Sequence, residues 1–130
     1  TITFAKYPLK DMKDDLMVIS VHAINMTTGE AFKRHMIQAY WEISVHEGPI
    51  LFAGDFNTWT EKRFKTLKDL TLRLGLTEII FKNGEQRMKF RSNFLDHGFV
   101  RGLKVKNAQV HPESSGSDHK PLTLELSTAN

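Results

Sequence analysis

Apolar residues along this chain follow two different rhythms. Residues 16–21 (Leu-Met-Val-Ile-Ser-Val) and 50–53 (Ile-Leu-Phe-Ala) are short, nearly unbroken apolar runs, the pattern of strands buried on both faces. Each run is followed by apolar residues at helical spacing. Phe32, Met36, Tyr40 and Ile43 come after the first, and Phe64, Leu67, Leu70 and Leu74 after the second. Thr27 with Glu30, and Thr58 with Glu61, have the spacing of capping boxes that open helices. Gly48-Pro49 and Gly75 supply the stops. Strand, helix, strand, helix is α/β organisation.

The second half changes character. Residues 77–81 read as a strand, Asn83-Gly84 as a turn, and residues 86–93, polar and basic without a period, as a loop. Residues 94–100 and 103–110 read as strands joined by a turn at Arg101-Gly102. In the last strand Leu122, Leu124 and Leu126 alternate with Thr123 and Glu125. His22 and Asp55 follow the carboxyl ends of their strands, Asp96 lies near the start of its own, and Asp118-His119 precede the last one. These groups reach one edge only if the later strands run antiparallel to the earlier two. The sequence therefore predicts an α/β fold with a mixed β-sheet and flanking helices.

At 130 residues the chain is the size of a single domain, residues 1–130, able to bury its own core. A net charge of +3 suits a polyanionic partner without requiring one. The chain has no cysteine, which excludes disulfides and thiolate metal sites and agrees with a cytoplasmic location. No stretch approaches the roughly 20 apolar residues of a membrane span. Nothing in the sequence sets the oligomeric state. The chain opens at Thr1 with no initiator Met, so a natural amino terminus is expected to be missing.

Three short strings place polar groups beside apolar runs, where burial costs free energy unless the groups are paired or bound. They are Gly54-Asp55-Phe56-Asn57, Leu95-Asp96-His97 and Ser117-Asp118-His119-Lys120-Pro121. Asp55 and Asn57 could simply serve a turn and a helix cap, but Thr58 already offers a cap. Asp96 could be an edge residue facing water; paired with His119 it would orient the ring and favour the imidazolium. Asp118 and His119 could form an exposed Asx turn before a strand that Pro121 opens. His22 taken alone is more often an edge histidine than a catalytic one. His35, His46, His97 and His111 read as structural or surface residues. Lys62, Arg63, Lys65, Arg87, Lys89 and Arg91 could meet phosphates, although such runs are usually solvated faces. Phe56 and Trp59 could pack against a base or a lipid, with core packing the commoner use.

Together the strings resemble the carboxyl-terminal half of the endonuclease/exonuclease/phosphatase superfamily, the fold of DNase I. Its signature is Gly-Asp-Phe-Asn, a Leu-Asp strand and Ser-Asp-His-x-Pro, in that order. Val21-His22, Asn57-Thr58-Trp59 and Phe99-Val100-Arg101-Gly102 are also similar to a bacterial branch, the YafD-like proteins. The resemblance runs from about Tyr7 to Leu126 and implies the second half of a four-layer α/β sandwich. It implies hydrolysis of phosphodiester bonds with Mg²⁺ or Mn²⁺, most readily in nucleic acid. In that pattern Asp55 orients or deprotonates the attacking water, and Asn57 holds the phosphate. His119, oriented by Asp96, donates to a phosphoryl oxygen. Asp118 supports the metal, and His22 stabilises the phosphate or the leaving group. The family's principal metal ligand, a Glu in an amino-terminal Gln-Glu motif, is absent here, as is its first-strand Asn. The chain alone is therefore expected to bind Mg²⁺ weakly and hydrolyse little, with Phe4, the Leu16 strand and one sheet face losing their usual cover. Two other uses of the same fold remain open: a phospholipid or inositol-phosphate phosphoesterase, and a binding module that has lost turnover.

Overall fold

The computed structural model describes residues 1–23 and 29–129. Five strands form the main sheet. They are β1 (Ile2–Tyr7), β2 (Leu16–His22), β3 (Ile50–Asp55), the two-residue β4 (Thr77–Glu78) and β7 (Asp96–Arg101), in the order β1-β2-β3-β7-β4. β2 and β3 are parallel; β1, β4 and β7 are antiparallel to their neighbours. The sheet is mixed, as the placement of the polar residues requires.

Helices α1 (Gly29–Val45) and α2 (Glu61–Arg73) cover one face. Met17, Ile19, Val21, Phe52 and Phe99 point to that face and pack with Phe32, Met36, Ala39, Ile43 and Leu67 in the larger core. Burial of such side chains stabilises by about 1.5–3 kcal/mol each against an exposed reference. Arg101 reaches the same side and joins the helix ends, donating to Leu74 O at 2.8 Å, Ile43 O at 3.2 Å and His46 O at 2.8 Å. One cation thus satisfies carbonyls that two helix termini leave over.

The opposite face carries Leu51 and Val100, covered by the separate hairpin of β8 (Leu103–Val110) and β9 (Leu122–Thr128). The last strand therefore belongs to a second layer and not to the mixed sheet. Leu122, Leu124 and Leu126 stay half-buried there because β9 pairs with β8 alone.

Some local features differ from the sequence pattern. β1 had no legible signal and is set by pairing with β2. The third strand shortens to two residues; past it Ile79 N still donates to Gly98 O at 2.7 Å, and the Ile79 and Phe81 side chains pack with the hairpin. The segment expected to be a loop contains a small antiparallel hairpin, β5 (Lys89–Phe90) and β6 (Asn93–Phe94). Phe4 packs against the larger core, so its cover is present. Thr60, not Thr58, caps α2, accepting from Arg63 N at 3.1 Å. Thr27, the proposed cap of α1, lies outside the described residues.

Candidate active site

The register of the sheet assembles the site. His22 stands opposite Asp55 in the parallel pair, and Asp55 opposite Asp96 in the antiparallel pair. Side chains alternate along each strand. With Val21, Phe52 and His97 on the helix side, His22, Asp55 and Asp96 all fall on the other face, at one end of the sheet. Gly54 permits this approach. Its φ is +141°, and a Cβ there would lie 2.2 Å from Val21 O.

His119 arrives from the connection between β8 and β9 to complete the cluster. Its Nδ1 lies 3.0 Å and 2.9 Å from the two carboxylate oxygens of Asp96. Its Nε2 lies 3.4 Å from Asp55 Oδ2, and His22 Nε2 lies 3.7 Å from that same oxygen. The Asp96 side chain is 7% exposed, that of Asp55 17%, and that of His119 39%, so the imidazole bridges a buried acid to an open pocket of about 390 Å³. His22, Gly54, Asp55, Asp96, His119 and Lys120 line that pocket.

Burial pushes the His119 imidazole down, but its hydrogen bond to Asp96 and the charges of Asp96, Asp55 and Asp118 raise it further, and the net direction is up. Burial also raises Asp96, against the opposing pull of the His119 hydrogen bond and charge. Both members of the pair therefore shift upward. We assign the shared proton to the imidazole, because His119 faces several carboxylates whereas Asp96 also feels the nearby Arg87 cation. The proton then sits on Nδ1 toward Asp96, and Nε2 is turned to the pocket.

Asp55 divides its two oxygens. Oδ1 accepts from Asn57 N at 2.8 Å, the turn role expected of an Asp here, while Oδ2 faces the two histidines. Asn57 has φ 49°, a left-handed conformation that Asn tolerates better than most residues. It is 6% exposed and its amide donates to Ala23 O at 2.7 Å, tying the end of β2 to the loop. Asp118 is exposed beside His119, outside the group formed by Asp55, Asp96 and His119, whose ligand atoms lie within 4.8 Å of one another. The structure thus brings His22, Asp55, Asp96 and His119 together, ties Asn57 to Asp55 and Ala23 beside them, and leaves Asp118 exposed outside the cluster.

Supporting residues carry part of the geometry. Thr58, expected as a helix cap, is fully buried and donates instead to Phe94 O at 2.7 Å. Arg63 is 3% exposed and donates to Asn57 O at 3.2 Å, so it buttresses the turn and is not available to a phosphate. Arg87 donates to Asp96 O at 3.0 Å and lies over the Phe94 ring. Lys120, whose Nζ donates to Ser114 O at 3.0 Å, lines the pocket. Its only sequence signal was its place inside the Ser-Asp-His-Lys-Pro string.

No family model matches the chain. It is 38% identical over 124 residues to a UPF0294 protein of Vibrio campbellii, covering 95% of this chain and 43% of that protein. The chain therefore spans less than half the length of such relatives. Among solved structures it matches an endonuclease/exonuclease/phosphatase from Beutenbergia cavernae with a TM-score of 0.72 and 14% identity, over 98% of this chain and 39% of that one. The chain has the DNase I-like fold of the endonuclease/exonuclease/phosphatase proteins. The endonuclease domain of TRAS1, a telomere-specific non-LTR retrotransposon, shares this fold, with a TM-score of 0.69 and 15% identity over 93% of this chain and 59% of that one. So does a mannosyl-6-phosphatase of Bacteroides thetaiotaomicron, with a TM-score of 0.63 and 18% identity over 97% of this chain and 56% of that one. The sequence relatives are bacterial, in keeping with the YafD-like branch of that superfamily.

Proposed function

We propose that the chain is part of a divalent-metal-dependent phosphoesterase that hydrolyses phosphodiester bonds, with nucleic acid as the substrate class. The observation that carries this reading is a half-exposed imidazole fixed between Asp96 and Asp55 at an open pocket. Solved proteins of the same fold include an endonuclease domain and a sugar phosphatase.

Each residue has a role consistent with its position. Asp96 holds His119 in one orientation, so that a protonated Nε2 donates to a phosphoryl oxygen as negative charge grows there. Asp55 Oδ2, in the pocket with its twin oxygen already engaged, accepts the proton of the attacking water. His22, its side chain 75% exposed, steadies the phosphate or protonates the leaving oxygen. The Asn57 amide has a second N–H beyond the one given to Ala23, and that donor serves a phosphate oxygen.

A hard divalent cation fits the available donors. Mg²⁺ is commonly held by one or two carboxylates and completes its shell with water and phosphate oxygens. The carboxylates of Asp55 and Asp96 would hold Mg²⁺ or Mn²⁺, with Asp118, exposed outside that group, supporting the ion through water. When bound, such an ion neutralises phosphoryl charge and acidifies water. The chain spans only 43% of the Vibrio campbellii relative, and the remaining length is where further ligands would reside. Residues 1–130 alone are accordingly expected to hydrolyse little.

The test is hydrolysis of bis(p-nitrophenyl) phosphate by the full-length protein in Mg²⁺, Mn²⁺ or EDTA. We expect turnover with either metal, none with EDTA, and loss in Asp55→Asn. Metal-independent turnover, or an active Asp55→Asn, refutes the proposal.

A further inference from the structure

Arg87, Lys89 and Arg91 alternate with Met88 and Phe90, and no acid occurs between Glu85 and Asp96. This stretch runs into the β5–β6 hairpin, which two aromatic–cation stacks hold in place. In the first, the Arg63 guanidinium lies 5.0 Å from the Phe32 ring and 5.1 Å from the Trp59 ring. Trp59 then meets Phe90 edge to face at 5.8 Å, and Arg91 lies 5.6 Å from Phe90. In the second, Arg87 and Lys89 lie 4.1 Å and 5.2 Å from the Phe94 ring. Backbone ties lock the arrangement, with Asn93 Nδ2 donating to Trp59 O and Leu95 N to Met88 O, both at 3.1 Å.

The first stack runs from the core to the surface, where its last ring is half-exposed beside the Arg91 guanidinium. Phe90 is 46% exposed, and Lys89 and Arg91 beside it are exposed. The hairpin is also close to the chemistry. Asp96 lies three positions beyond Asn93, about 10 Å of extended chain at most. An aromatic face supported from behind and flanked by cations is what a flexible polyanion with stacking bases requires.

We infer that Phe90, with Lys89 and Arg91, is a stacking platform for a base of single-stranded nucleic acid near the phosphate held by Asp55 and His119. The inference rests on the phosphodiesterase reading above and sharpens its substrate class. The ring takes the face of one base, and the two cations take the backbone phosphates on either side. In a duplex those base faces are covered by their neighbours, and a sugar or inositol phosphate offers none. Neither would use Phe90 as single-stranded nucleic acid does.

The experiment is fluorescence anisotropy of a fluorescein-labelled single-stranded DNA dodecamer with the full-length protein in EDTA, which stops turnover. Phe90→Ala and Phe90→Leu should each weaken binding about tenfold, and Phe90→Trp should restore it. Arg91→Ala should weaken binding and lower the slope of log affinity against log salt by about 0.7, the share of one phosphate on a single strand. Lys13→Ala, at the other end of the sheet, should bind as the unaltered protein does. Phe90→Leu keeps an apolar contact with Trp59, so a folding defect in Phe90→Ala leaves the test intact. Equal binding by the Phe90 variants and the unaltered protein, absence of binding, or preference for a blunt duplex of the same sequence overturns the inference. These readouts are independent of hydrolysis, so an active Asp55→Asn would sink the phosphodiesterase reading without mimicking any of them.

Discussion

Asp96 and His97 are neighbours on one strand, yet they belong to two regions that treat an imidazole in opposite ways. On the pocket side Asp96 faces His119, and the carboxylates around that ring raise it. On the helix side His97 is 2% exposed, stacked on Phe64 with ring centroids 5.1 Å apart and flanked by Phe56 and Phe99. Burial, then the Arg87 charge, push its pKa down to about 4. Since Thr58 Oγ1 donates to Phe94 O, the His97 Nε2 at 2.7 Å carries the proton that Thr58 accepts. Its Nδ1 is buried without a hydrogen-bond partner, 3.8 Å from Glu78 Oε1. Burial without a bonded acid favours a neutral structural ring; half-exposure against carboxylates favours the charged form, which can donate. Solvent access and partner charge separate the roles.

The largest expected effect concerns turnover. In the full-length protein His119→Ala should slow diester hydrolysis at least about a hundredfold, with substrate affinity falling much less. Its midpoint in urea should fall only modestly, by less than that of His97→Ala, because Asp96 loses a partner but water can replace the half-exposed ring. An unfolded His119→Ala would make that ring structural and erase the contrast. His97→Ala should do the reverse, lowering stability in urea by about 3 kcal/mol through lost packing and the unmet Thr58 contact.

Acid sharpens the contrast. The folded-state pKa of His97 lies below the unfolded value, so its contribution is complete above about pH 6.5 and is lost as the pH falls toward 4. A shift of that size corresponds to about 3 kcal/mol. Urea midpoints measured across this window should fall accordingly, and His97→Phe should flatten the limb. His119 has the opposite sign. Its folded-state pKa is raised, so its contribution is present below the unfolded value and lost as the pH rises through the folded one. Activity that needs a protonated His119 should disappear on the same alkaline side, which a pH–rate profile reads. The smallest effect is local: Thr60→Ala should cost about 1 kcal/mol in urea by removing the α2 cap.

Much of this arrangement was legible in the sequence because it depends on periodicity and adjacency. The runs ending at His22 and Asp55, and the need for Asp96 to meet them, implied an antiparallel partner for β3, and β7 is that strand. The helix spacing gave Phe32, Met36 and Leu67 correctly as core. What was hidden depends on distant contacts. Arg63 looked like a phosphate ligand because nothing local reveals that Phe32 and Trp59 enclose it. Thr58 looked like a cap because Phe94, its actual partner, comes 36 residues later. β1 lacks an apolar run because it is an edge strand, held by its pairing with β2 and by the half-buried Ile2 and Phe4. Residues 86–93 concealed a hairpin because its strands are two residues each and its aromatic–cation stacks reach to Trp59 and Phe94.

The central claim is that Asp96 acts through His119 as one unit beside Asp55. A double-mutant cycle of kcat/KM in the full-length protein, using Asp96→Asn, His119→Ala and the pair, tests it most directly. The account predicts that the double variant is no more than a few-fold slower than His119→Ala alone. Losses that multiply fully, or a His119→Ala as active as the unaltered protein, would contradict it.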